Sequence, residues 1–248
     1  MNQAIKRLKE ISRHLKNYND ILCLLGLGSM KEVERADKYS DMDFFLIVED
    51  GKKDVFINDL SWLEVKPLSY KFKNTNDGYK VLFDDGVFGE FAVFEKHEMK
   101  NARFSRGLSY YHKDDFDLRL IEPRFEPKAK VIHKDFNIQE ALTNLYIGLL
   151  RDFRGEKSSA MTFIQGHAYN LIIELFPLVF DEASVEVDGY VYERRIEVRF
   201  PDANKFLSTF RQGYQKNKES AKAMLDFLIK YFEVDNKLVD EIHKLLMI

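Results

Sequence analysis

The chain changes its hydrophobic rhythm once, near residue 135, and that change constrains the fold more than any single residue. Before it, apolar residues come in short runs of strand length, at 21–27, 44–48, 62–72, 79–83 and 87–94. After it they recur every three to four residues over 138–153, 158–176, 205–214, 220–232 and 236–247, the period of a helix with one buried face. Residues 2–17 add a helical stripe, Ile5, Leu8, Ile11 and Leu15, ahead of the first run. Asp84-Asp85-Gly86 separates the last two strands as a hairpin turn, and Pro177 closes the second C-terminal helix. Residues 128–133 form a further strand-like stretch. Residues 181–200 read two ways: Val-Glu-Val-Asp-Gly-Tyr-Val-Tyr resembles a hairpin, while 193–200 suits a helix. The expected fold is α+β, with a mixed β-sheet flanked by helices over 1–135 and a helical bundle over 136–248.

Composition removes several classes of function. The 248 residues carry 38 Lys+Arg against 41 Asp+Glu, a net charge of −3, which disfavours a protein that coats nucleic acid or copies a template. One cysteine excludes an internal disulfide framework and a Cys-rich zinc site. Cys23 itself lies in the run Ile-Leu-Cys-Leu-Leu and reads as a core residue. No stretch reaches the ~18 apolar residues of a membrane span, and the start of the chain has no apolar leader, so a cytoplasmic protein without a membrane partner is expected. The charge is uneven. Residues 30–100 hold 16 acidic against 11 basic side chains, and the remainder 25 against 27.

Part of that local acidity has a definite geometry. The first strand ends at Leu27-Gly28-Ser29, and twelve residues after Ser29 comes Asp41-Met42-Asp43-Phe44-Phe45-Leu46-Ile47. On a strand, residues two apart share a face, so Asp41 and Asp43 stand side by side while Met42 and Phe44 turn the other way. Two like charges so close are costly without a cation between them. Mg²⁺, a hard ion that takes one or two carboxylates plus phosphate oxygens, suits the pair. Gly28 lets backbone approach a phosphate, the Ser29 hydroxyl can donate to it, and a following helix N-terminus would favour the anion. Neither motif alone means much. Joined at this spacing, each on an apolar strand, they read as a triphosphate-and-metal site.

These residues resemble a family. Gly28-Ser29 with Asp41-x-Asp43 is similar to the signature of the nucleotidyltransferase superfamily that includes DNA polymerase beta and the antibiotic nucleotidyltransferases. Tyr39-Ser40-Asp41-Met42-Asp43-Phe44, Trp62-Leu63 and Gly89-Glu90-Phe91 more closely resemble the lincosamide nucleotidyltransferases. The resemblance covers residues 24–100 most clearly and continues more faintly through Arg154-Gly155-Glu156. It implies a nucleotidyltransferase sheet, Mg²⁺ as one or two ions, a nucleoside triphosphate co-substrate, a small-molecule acceptor and, in many relatives, a homodimer. It also implies a third carboxylate on a neighbouring strand. Asp84, Asp85, Glu90 and Glu95 are the candidates. The two aspartates suit a turn and Glu95 leads out of the strand, whereas Glu90 sits mid-strand among Val87, Phe88, Phe91, Val93 and Phe94. Glu90 is accordingly taken as the third carboxylate, with two roles open. It can be a metal ligand, or a general base whose pKa is raised by apolar neighbours, the reading we favour.

By the same resemblance Ser40 and Arg154 belong with the nucleotide. Arg151, Arg154 and Lys157 cluster between two C-terminal helices, where guanidinium forks and an ammonium suit phosphates, and ordinary helix-end charges look the same. His167 and Tyr169 on the next helix are candidate contacts to the acceptor, although a histidine on an apolar helix is more often part of the core. The function expected is transfer of a nucleoside monophosphate, AMP from ATP, to a hydroxyl of a lincosamide-like acceptor with release of pyrophosphate. The alternatives are a protein side chain as acceptor, or a regulator that binds nucleotide without turnover.

Overall fold

A computed structural model describes every residue except 1, 32–35, 126–130, 186, 189 and 190. The chain divides into two compact units, Met1–Glu126 and Pro127–Ile248.

The first unit is built on a six-stranded sheet of order β3-β4-β5-β2-β1-β6. Its strands are β1 (Ile21–Gly26), β2 (Met42–Val48), β3 (Leu68–Lys73), β4 (Gly78–Phe83), β5 (Phe88–Glu95) and β6 (Leu108–His112). Only β2 and β5 run parallel; every other pair is antiparallel, so the sheet is mixed. One face carries the larger core. Helix α1 (Gln3–His14) lays Ile5, Leu8 and Ile11 over Phe44, Leu46, Val81, Phe91 and Val93, joined by Phe56 and Ile57 of α2 (Lys53–Asn58) and by Trp62. Alternation along β2 does this: Met42, Phe44 and Leu46 are buried, while Asp43 and Phe45 turn to the opposite face. That opposite face is covered over only part of its area, where Leu25 and Ile47 meet Met99, Phe104 and Phe116.

Two details depart from the sequence expectation. Residues 62–72 do not form one strand. Trp62 and Leu63 turn into the core, with the Trp62 indole donating to the Phe56 carbonyl at 2.9 Å, and Pro67, which has no N–H for a ladder, precedes β3. Within β3 the register then slips: Leu68 faces Phe83, yet Tyr70 faces Leu82, a bulge at Ser69. The short helix α2 and strand β6 carry no clear periodicity in the sequence. Residues 128–130 of the expected strand at 128–133 lie outside the described residues, and 131–133 have no strand structure.

The second unit is helical. Helix α3 (Lys134–Phe153) packs against a run comprising α4 (Lys157–Met161), π-helical turns over Thr162–Ala168 and α5 (Tyr169–Ile173). They share a core with α7 (Asn204–Phe210), α8 (Asn217–Tyr231) and α9 (Asn236–Met247), centred on Leu145, Ile164, Phe176, Phe210 and Phe227. Of the two readings for 181–200, the helical one is partly met by α6 (Ile196–Arg199), and the described part of 185–192 shows no strand. A buried polar chain runs through the unit. Gln165 donates to the Gly213 carbonyl and to Asn217 Oδ1, each at 2.9 Å, and Asn217 donates to Asp152 Oδ1 at 2.9 Å. Among the described residues no helix is long and apolar enough to cross a membrane.

Gly78 opens β4 where a Cβ would stand 2.1 Å from the Phe91 carbonyl oxygen, a backbone atom that cannot yield without moving β4 off β5. We expect Gly78→Ala to cost about 2–4 kcal/mol. Trp62, the only tryptophan and fully buried in this unit, reports the loss as an earlier urea midpoint in its emission.

Candidate active site

Three strands bring the sequence motif together. β1 runs into Leu27, whose N–H donates to the Asp43 carbonyl at 2.8 Å, so the Gly28-Ser29 turn is tied beside β2. Gly28 has φ +52°, a left-handed value that costs a non-glycine residue. A Cβ placed there would stand 3.5 Å from Asp43 Oδ2 and, among the described residues, meet nothing else within 4 Å. The backbone at Gly28 therefore lies directly against the Asp43 carboxylate. The turn is anchored from behind by the Tyr110 hydroxyl, which donates to the Met30 carbonyl at 2.7 Å.

On the other side of β2, the parallel register aligns Met42 with Gly89 and Asp43 with Glu90. In-register residues on neighbouring strands share a face about 4.8 Å apart. Asp43 and Glu90 thus stand together on the partly covered face, with exposed Asp41 one residue before the strand. Of the four candidates for a third carboxylate, this places Glu90 alone opposite Asp43. Asp85 accepts from Arg7 Nη2 at 2.6 Å, Asp84 is exposed in the hairpin turn, and Glu95 lies at the far end of β5.

Glu90's surroundings differ from the expectation. Its carboxylate faces away from the apolar core. Asn74 Nδ2 donates to Oε1 at 2.7 Å, and Lys80 Nζ, from the in-register position on β4, is 3.4 Å from Oε2. Of the apolar residues near Glu90 in sequence, Phe91 and Val93 belong to the opposite face, whereas Phe88 and Phe94 share its own. Asn74 Oδ1 is buried with no hydrogen-bond partner among the described residues, an orphaned acceptor next to Glu90. Ser40 is engaged locally: its Oγ accepts from the Asp37 N–H at 3.0 Å and closes the turn leading to Asp41.

The donor set suits a hard divalent cation. Asp41 and Asp43 supply carboxylate oxygens, and the Gly28 backbone leaves room for an anionic ligand beside Asp43. The oxygens of Asp41, Asp43 and Glu90 are not gathered into a closed cluster. Among the described residues, one three-residue group has all its ligand atoms within 4.8 Å, and that is Asp50, Glu95 and His97. It sits at the opposite end of β2 and β5, five residues and ~16 Å along the strand from Glu90. His97 Nδ1 stands 2.9 Å from Asp50 Oδ1 and 3.4 Å from Glu95 Oε2. The hydrogen bond with His97 holds the Asp50 carboxyl below its usual range, and the Gly51 N–H does the same for Glu95. Both shifts are downward, so any stability they contribute is present above the ordinary carboxylate range and lost as pH falls through the depressed values. Sequence reasoning missed this group because a strand end and two loop residues share no local pattern.

The remaining candidates lie in the helical unit. Arg154 is exposed at the C-terminal end of α3, and Gly155, φ +79°, ends that helix. Arg151 donates to Glu156 and Ser159 and lies over the Phe163 ring, while Lys157 pairs with Asp152 at 3.3 Å. His167 is exposed, edge-on to Phe163. Tyr169 departs from its expected role. It is 4% exposed in the helical core, with the Arg211 guanidinium 3.7 Å above its ring, which leaves no face for an acceptor.

No family model matches the chain. No curated protein matches it in sequence. Among solved structures, an aminoglycoside 6-adenyltransferase from Bacillus subtilis is 13% identical, with 100% of this chain and 98% of that one covered and a TM-score of 0.37. The Thermotoga maritima CCA-adding enzyme in complex with tRNA is 10% identical, covering 95% and 68%, at 0.35. A nucleotidyltransferase-like protein from Exiguobacterium sibiricum is 12% identical, covering 98% and 74%, at 0.34. At these scores no residue role passes from them to this chain.

Gly28→Ala should lower the stability of the first unit by about 1–2 kcal/mol, because alanine pays for the left-handed backbone. Trp62 emission in a urea series measures it; an unchanged midpoint would mean that the turn relaxes freely.

Proposed function

We propose that the first unit is a Mg²⁺-dependent nucleotidyltransferase centre that moves AMP from ATP to a hydroxyl of a small acceptor, of the kind represented by lincosamides, and works in the cytoplasm where ATP is abundant. The observation that carries the reading is the alignment of Asp43 with Glu90 across two parallel strands, with the Gly28 backbone against the Asp43 carboxylate. Asp41 and Asp43 would hold the cation, which when bound supplies charge neutralisation for the triphosphate. Gly28 and Ser29 would bind its outer phosphates through backbone approach and the Ser29 hydroxyl. Arg154 and Lys157 are further candidates for phosphate contacts, and His167 for the acceptor.

Glu90 would take the proton of the acceptor hydroxyl on its carboxylate. Lys80 and Asn74 hold the Glu90 carboxylate in place on the face it shares with Asp43. The acceptor oxygen forms its bond to the α-phosphorus, the bridging P–O bond breaks, and pyrophosphate leaves with the electron pair. Positioning and electrostatics carry such a transfer.

The test is pyrophosphate release with α-labelled triphosphates, Mg²⁺ and a panel of hydroxylated antibiotics. The label should move to an acceptor, and Asp41→Asn should reduce the rate by at least about a hundredfold with the fold intact. Retention of full activity by Asp41→Asn would remove the metal assignment. Tight triphosphate binding without transfer to any acceptor would favour a regulator.

A further inference from the structure

We infer that Tyr70, Leu82 and Phe88 form a shelf that seats the apolar ring face of a neutral, hydroxyl-bearing acceptor; this rests on the nucleotidyl-transfer reading. Two cross-strand rows lie side by side on the face that carries the carboxylates. The first runs Phe72, Lys80, Glu90, Asp43 across β3, β4, β5 and β2. The second runs Tyr70, Leu82, Phe88 and ends beside Asp41. Tyr70 is 52% exposed, Phe72 51% and Phe88 37%.

The shelf depends on the bulge at Ser69. Leu68 points to the core opposite Phe83, and an unbroken alternation would send Tyr70 and Phe72 the same way. The slip of one residue turns both rings to the carboxylate face instead, held by the Ser69 hydroxyl donating to the Leu82 carbonyl at 3.1 Å. Bulges re-aim side chains in this way beside active sites.

Direction and charge choose the occupant. In-line transfer puts the attacking oxygen and the departing pyrophosphate on opposite sides of the α-phosphorus. The Gly28-Ser29 turn lies on the β1 side of β2 and the shelf on the β5 side, so phosphates held at the turn leave the shelf as the acceptor's approach. Glu90, the carboxylate in the adjoining row, is already paired with Lys80. With Asp41 and Asp43 assigned to the cation and Glu90 paired with Lys80, the shelf offers two rings and a leucine beside no carboxylate left unassigned. That suits a flat apolar ring and gives a polycation little to hold.

The test compares two neutral ligands that differ by one ring, a phenyl glycoside and the methyl glycoside of the same sugar. Their binding to the full chain is titrated calorimetrically, with and without Mg²⁺ and a non-hydrolysable triphosphate analogue. The phenyl glycoside should bind roughly tenfold more tightly. The double variant Tyr70→Ser, Phe88→Ser should lose that preference while keeping its affinity for the triphosphate analogue. Phe88→Leu, which keeps the strand apolar, should lose part of it if the double variant does not fold. Equal behaviour of the two glycosides, including no binding by either, would overturn the shelf, as would a preference that survives the substitutions. Failure of the triphosphate analogue to bind would count against the nucleotide reading alone, because the glycoside comparison without it still judges the shelf.

Discussion

The parallel pairing of β2 with β5 is the contact on which the rest of the site depends. Every other strand neighbour in this sheet is antiparallel. The one parallel pair aligns Asp43 with Glu90 and Met42 with Gly89, and a slip of one residue would send Glu90 to the core face among Phe44, Phe91 and Trp62. Tight packing enforces the register. A Cβ at Gly89 would come 2.9 Å from the Met42 side chain, and Phe44 stacks on Phe91 with ring centroids 5.3 Å apart. The hydrophobic face thus sets the geometry of the polar one.

That polar face has two halves with different fates. Toward the C-terminal ends of β2 and β5, Ile47 and Phe94 are roofed by Met99, Phe104 and Phe116. Among the described residues that roof stops toward the N-terminal ends, where Asp41 is exposed and Asp43 and Glu90 are half-buried, with the Gly28-Ser29 turn on one flank and the aromatic rows on the other. A site for transfer between two bound molecules needs such an arrangement, with charge in the middle and a separate approach on each side.

Much of this was legible in the sequence, and the limits are physical. Asp43 could be placed on the face opposite Met42 and Phe44 because strand alternation is a local rule, and the change to a 3.6 period announced the helical half. Glu90 could be picked out as mid-strand, but its apolar sequence neighbours pointed to the wrong environment. Which side chains surround a strand residue depends on its partners, and Lys80 and Asn74 come from elsewhere in the chain. The bulge at Ser69 was invisible for the same reason, since a register slip exists only between two strands. Trp62 and Leu63 looked like strand residues because a buried turn is as apolar as a buried strand. Tyr169 shows the converse in the helical unit: a polar aromatic suited to a ligand is taken up by Arg211 and the core.

The central claim is that a divalent cation binds at Asp41 and Asp43 together with a triphosphate, and the structure contains a rival in Asp50, Glu95 and His97. The most direct measurement is Mn²⁺ binding by electron paramagnetic resonance in the presence of a non-hydrolysable triphosphate analogue, on the wild type, Asp43→Asn and Asp50→Asn. The account predicts that Asp43→Asn weakens Mn²⁺ binding by at least about tenfold and that Asp50→Asn leaves it unchanged. The reverse pattern, with binding lost in Asp50→Asn and kept in Asp43→Asn, would contradict it.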